Sequence, residues 1–172
     1  MFLPSEKEST AVARSFIAAL KMANSDALTV FLYGELGSGK SFFVRSLLRT
    51  LGFTGNVPSP TYSLLQSYEV SSKTIHHFDL YRLSSAEEWF DLGFDEVVVG
   101  PSFNFVEWPE RLLGAKFLPD ISLNWSYGEQ EGRLLTIQSH SEQGERLKII
   151  WEKNYQEAVS YTHLRAHETR HD

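Results

Sequence analysis

The chain contains no cysteine among its 172 residues, which excludes disulfide bonding, cysteine zinc sites and thiol catalysis and suits a reducing compartment. Long apolar runs are missing as well. Nothing approaches the ~20 residues that cross a bilayer, and the opening MFLPSEKE has neither the basic start nor the apolar middle of a secretory leader. The expectation is a cytoplasmic protein with no membrane and no disulfide partner. Positive charge is not in excess: 16 lysines and arginines against 22 acidic residues give a formal charge of −6, which excludes a uniformly basic, nucleic-acid-coating surface. The guanine-reading string N-K-x-D and the string D-x-x-G are also absent, against a GTPase switch. What the chain does have is 42% hydrophobic and 13% aromatic content, enough for one core and far from the composition of disordered chains.

Ser5 and Glu8 stand at capping-box spacing, and Val12, Phe16, Ile17 and Leu20 recur at helical intervals, so a helix is expected over 5–22. The run ALTVFLY (27–33) reads as a buried strand of a parallel sheet. A helical stripe of Phe43, Val44, Leu47, Leu48 and Leu51 follows, closed by Gly52. Strands are expected over 61–70 and 74–80, a helix capped by Ser84 through about residue 92, and β structure at 97–99 and 103–106. Segments 121–127 and 133–139 flank GEQEG and read as an antiparallel hairpin, with a final helix over 144–158. The expected fold is therefore α/β: a P-loop NTPase-like three-layer sandwich with a mixed central sheet and a C-terminal antiparallel hairpin. Residues 159–172 carry three of the six histidines and no amphipathic period. They are expected to be a non-native or disordered tail beyond a domain of residues 1–158.

Residues 34–41 read GELGSGKS, a full match to G-x-x-x-x-G-K-[ST] in the strand, loop and helix setting that this motif requires. Gly34, Gly37 and Gly39 permit positive φ, so consecutive amides can turn inward around a phosphate at the positive end of the following helix. The nucleotide-binding set is thus Gly34, Glu35, Leu36, Gly37, Ser38, Gly39, Lys40, Ser41 and Phe42. Lys40 brings a compact cation to the β- and γ-phosphates, and Ser41 offers a hydroxyl to Mg²⁺. An acid at the end of a neighbouring strand is needed for the metal or its water, and Asp79 and Glu107 both end strand-like segments. His76 and His77 do not suit a metal pair, since adjacent strand residues face opposite sides.

Four segments, GELGSGKS (34–41), SPTYSLLQSYE (59–69), HHFDLYRL (76–83) and VEWPERL (106–112), in this order and at these spacings, resemble the TsaE family, also called YjeE. The resemblance implies a small Mg²⁺-dependent P-loop ATPase that works with TsaB and TsaD, and with tRNA through that complex, in making N6-threonylcarbamoyladenosine. It assigns Lys40 to the phosphates, Ser41 and Glu107 to Mg²⁺, and Asp79 to the Walker B role. It places Ser59, Pro60 and Thr61 near the γ-phosphate as a switch-like sensor. Thr10 and Arg133 match positions near the nucleotide and its base. Many relatives read GKTT where this chain has Lys40, Ser41 and Phe42, so one hydroxyl remains and the next is lost. A small-metabolite or nucleoside kinase is the alternative reading. Such kinases usually carry an arginine-bearing lid, whereas Arg45, Arg49, Arg82 and Arg111 are dispersed.

Overall fold

A computed structural model describes residues 1–169. The apolar run of β2 (Leu28–Tyr33) has both of its faces covered. Leu28, Val30 and Leu32 join a core with Val12, Phe16 and Leu20 of α1 (Glu6–Met22) and Phe43, Val44 and Leu47 of α2 (Lys40–Thr50). Phe31 points the other way, into a second core. A strand sandwiched between two helical layers reads as continuously hydrophobic for this reason.

The remaining strands are β1 (Phe2–Leu3), β3 (Leu65–Val70), β4 (Lys73–Asp79), β5 (Ser102–Glu107), β6 (Ile121–Tyr127) and β7 (Arg133–Ser139). They form one seven-stranded mixed sheet in the order β1-β7-β6-β2-β5-β4-β3. The inner pairs β2 with β5, β2 with β6, and β4 with β5 are parallel. The β3–β4 and β6–β7 hairpins and the β1–β7 pair are antiparallel. Against one face lie α1, α2 and α5 (Glu142–Glu168), the last contributing Leu147, Trp151 and Tyr155 to the larger core. The other face carries α3 (Ala86–Asp91) and α4 (Phe94–Val97), whose Trp89 and Phe94 pack on Phe78 at ring separations of 5.0 and 5.3 Å. This is the expected three-layer sandwich, and the hairpin falls on 121–127 and 133–139.

Several boundaries differ from expectation. Residues 97–99 are not β-structured: Gly93 adopts a left-handed φ of 75° and starts α4, so Val97 ends a helical turn, and Val99 is exposed. Valine favours strands only where a pleated, half-buried surface receives it. Residues 61–64 form a turn, with the Leu64 amide donating to the Pro60 carbonyl at 2.8 Å, so β3 starts at Leu65. Ser85, not Ser84, caps α3. The N-cap of α5 is Ser141, whose hydroxyl accepts from the Gly144 amide at 3.0 Å, and this helix continues past Ala158 to Glu168 with exposed side chains. Residues 170–172 lie outside the described part.

Candidate functional site

Between the end of β2 and the start of α2, residues 34–39 turn back on themselves, with φ of 148° at Gly34, 74° at Gly37 and 124° at Gly39. Two of these glycines are also fixed by space. A Cβ on Gly34 would stand 2.9 Å from the Trp125 carbonyl oxygen, and one on Gly39 would stand 3.3 Å from the Trp125 ring. The hairpin thus backs the loop closely, at Gly34 with a backbone oxygen that leaves no room for a side chain and at Gly39 with a ring in tight contact. Because α2 begins at Lys40, the amides of Lys40, Ser41 and Phe42 have no intrahelical acceptor. They and the helix dipole make this end of α2 a place for an anion.

The side chains converge on the same end. Lys40, only 5% exposed, donates through Nζ to the Gly34 carbonyl and to the Glu35 carbonyl at 3.1 Å, and lies 4.3 Å from the Trp108 ring centroid. Burial pulls its pKa below the usual lysine value, although the carboxylates of Glu107, Glu110 and Asp79 oppose this. Ser41 Oγ donates to Glu107 Oε1 at 2.6 Å. Asp79 and Glu107 are register partners on the parallel strands β4 and β5, which end at the same edge. Burial and the neighbouring Glu107 raise the pKa of Asp79, whose Oδ1 accepts from the Tyr81 amide at 3.1 Å. Burial alone would raise Glu107 as well, but contacts with His77, Ser41 and Lys40 outweigh it and hold this carboxyl below its ordinary value. Immediately after Glu107, Trp108 takes a left-handed φ of 58° and packs 5.0 Å from Tyr81.

A cleft of about 270 Å³ collects these groups: Glu35 to Phe42, Asp79, Glu107 and Trp108 line it, together with Ser59 and Thr61. Ser59 and Thr61 hydroxyls are bonded to each other at 2.9 Å. Among the described residues no group of three or more His, Cys, Asp or Glu side chains could hold a metal alone. The donor set of Ser41, Glu107 and Asp79 nevertheless suits Mg²⁺, which takes one or two protein carboxylates and completes its shell with substrate phosphates and water.

On the far side of the loop a second cleft of about 260 Å³ is shared by Gly37, Ser38, Gly39 and Phe42 with Arg133. Here Ser5 at the N-cap of α1 and Glu6 and Ser9 within it contribute, while the Thr10 hydroxyl donates to the Glu6 carbonyl at 2.9 Å and does not line the cleft. Arg133 is held by the Glu131 carbonyl at 2.8 Å and stacks 4.4 Å from the Tyr127 ring. The two histidines part as strand alternation requires: His76 Nδ1 meets Ser67 Oγ at 2.7 Å, whereas His77 Nε2 lies 3.4 Å from Glu107 Oε1. The His77 contact and the Trp125 backing have no local sequence signal, because both depend on strand register.

The model of a family described as "Threonylcarbamoyl adenosine biosynthesis protein TsaE" matches residues 3–137. Curated proteins named tRNA threonylcarbamoyladenosine biosynthesis protein TsaE are similar over most of the chain. The Rickettsia felis protein is 34% identical over 151 residues, covering 87% of this chain and 85% of its own. Its Rickettsia bellii counterpart is 38% identical over 136 residues (78% and 91%), and that of Haemophilus influenzae 36% over 127 residues (73% and 80%). Among solved structures, Bacillus subtilis YdiB superposes with a TM-score of 0.69 at 24% identity, over 87% of this chain and 90% of that one. That likeness concerns the fold.

Proposed function

The chain belongs to the TsaE family, and from that premise we propose that it is the ATP-binding and ATP-hydrolysing component of the machinery that makes N6-threonylcarbamoyladenosine in tRNA, acting in the cytoplasm with TsaB and TsaD. A single observation carries the ATPase reading: the first amides of α2, the Lys40 ammonium and the Ser41–Glu107 pair meet in one cleft at the edge where β4 and β5 end. Loop amides and helix dipole bind the phosphates. Lys40 exchanges its carbonyl acceptors at Gly34 and Glu35 for the β- and γ-phosphate oxygens, where a fixed cation counts most as charge develops. Ser41 and Glu107, with Asp79 beside them, would hold Mg²⁺, which supplies charge neutralisation on the phosphates. Asp79 and Glu107 are the two carboxylates placed to orient the attacking water. Thr61 and Ser59, on the same cleft, would sense the γ-phosphate. The second cleft, with Arg133, would take the nucleoside end.

The test is ATP turnover by the protein alone and with the TsaB–TsaD pair and tRNA. Slow hydrolysis alone and marked stimulation in the assembly are expected. Phosphoryl transfer to a small acceptor, with no stimulation, would replace this reading with the kinase alternative. Among the described residues no helix is long and apolar enough to cross a membrane.

A further inference from the structure

His77 is 2% exposed, yet neither of its ring nitrogens makes a hydrogen bond among the described residues. Its surroundings on the sheet are mixed: Gln66 is its register partner on β3, and Asp79 follows it on the same face of β4. Ile75 precedes it on the same face of β4, and its register partner on β5 is Phe105. A leucine or phenylalanine would fill such a position without burying two polar atoms. Its Nε2 lies 3.4 Å from Glu107 Oε1, and the Asp79 carboxyl is near enough to interact with the same ring. The register explains the approach. Asp79 pairs with Glu107 across β4 and β5, so His77, two residues earlier on the same face, is the diagonal neighbour of Glu107. Ser41 Oγ reaches that same oxygen from α2 at 2.6 Å. Oε1 is thereby flanked from the helix and from the neighbouring strand, while the Asp79 carboxyl, the register partner of Glu107, contacts the same carboxylate.

We propose that His77 is a positioning residue for the cation site: its Nε2 edge fixes the rotation of the Glu107 carboxylate, so that one oxygen is shared with Ser41 and the other is presented to Mg²⁺. This rests on the reading of Ser41 and Glu107 as the metal-binding pair. A buried carboxylate between two strands and a helix can rotate about its last torsion, and outer contacts of this kind orient metal ligands. His77 touches neither phosphate nor metal in this account and acts through Glu107.

The experiment measures ADP binding by calorimetry in excess EDTA and across a Mg²⁺ titration, for wild type, His77→Leu, His77→Gln, His77→Asn and Glu107→Gln. The expected result for His77→Leu is a Mg²⁺ requirement raised about tenfold, in the lower part of the range for outer-shell substitutions, with ADP binding in EDTA within about twofold of wild type. Glutamine, whose amide nitrogen reaches about as far as Nε2, restores the wild-type requirement. Asparagine is too short and does not. If Leu fails to fold in a thermal melt, the Gln and Asn variants decide, and equal Mg²⁺ requirements for these two overturn the proposal. So does an unchanged requirement in folded His77→Leu, or an equal loss of ADP binding with and without Mg²⁺, which would mark a packing role. Glu107→Gln separates the two ideas. A raised requirement there with none in His77→Leu removes only the role of His77, whereas an unchanged one removes the metal-site reading itself.

Discussion

Lys40 donates to two loop carbonyls and faces Trp108, so replacing it by alanine leaves those carbonyls beside solvent and removes no core contact. Lys40→Ala is therefore expected to fold while losing ATP turnover by about a hundredfold or more, as when one charge-stabilising group is deleted from a site. Wild-type turnover in the folded variant would remove the phosphate-loop assignment. His76 bears on stability instead. Burial depresses its pKa below the usual histidine value, against the opposing charge of Glu69, so the unfolded chain binds this proton more readily. Stability from the neutral ring is present above the unfolded pKa and is lost as pH falls below it toward the lower folded value. His76→Gln keeps a partner for Ser67 and removes the titration. Urea melts of both proteins from about pH 7.5 to about 5.5 should show the difference moving in the variant's favour as pH falls. Lys40 and Ser41 were legible because their motif is local. The sharing of Glu107 Oε1 by Ser41 and His77 was not, because it requires two strands to meet in parallel with Asp79 opposite Glu107. Thr10 lies one position from Ser9, which with Glu6 lines the cleft from α1.

Helices and strands with a strong period, α1, α2 and the β6–β7 hairpin, could be read directly because their apolar stripes or turn signals reported the face they bury. The two-residue β1 carries no period, and it exists because Phe2 and Leu3 pair with Leu134 and Arg133 of a distant strand. Valines 97–99 had strand propensity but no strand beside them. The docking of α5 was invisible for a related reason. A Cβ on Gly144 would stand 2.0 Å from the Asp120 carbonyl oxygen, so the first turn of α5 sits directly on the backbone that leads into β6. Gly144→Ala gains roughly 0.5–1 kcal/mol of helix propensity but must push the helix off that carbonyl, an overpacking cost of about 1–3 kcal/mol. Net destabilisation is expected, and a melting temperature at or above wild type would contradict the close docking. The core contacts of α5 end at Tyr155, and we propose that the functional domain comprises residues 1–158. A chain ending at Ala158 should keep wild-type ADP affinity.

The whole molecule presents its phosphate cleft at an open sheet edge, with few groups of its own to exclude water around a γ-phosphate, so turnover by the free protein should be slow. Coupling to a partner then needs a segment that lines the cleft and also reaches the surface. The SPT segment meets both conditions. Thr61 and Ser59 line the cleft and bond each other at 2.9 Å, Pro60 is buried and receives the Leu64 amide, and the next residue, Tyr62, is exposed with Arg82 4.2 Å from its ring centroid. A change in the hydroxyl contacts of Thr61 would thus pass along a short, turned segment to an exposed aromatic, the kind of local ordering that switch loops use. Thr61→Ala removes one hydroxyl from a half-buried position and is not expected to disturb folding. ATP affinity should stay within about tenfold, ~1.4 kcal/mol, while turnover stimulated by TsaB, TsaD and tRNA falls by more than that factor. The measurement pairs nucleotide binding by calorimetry with single-turnover hydrolysis in the assembled complex. Full stimulated turnover in Thr61→Ala would remove the sensing role and leave the ATP site standing; parallel loss of affinity and turnover would make Thr61 a nucleotide ligand instead.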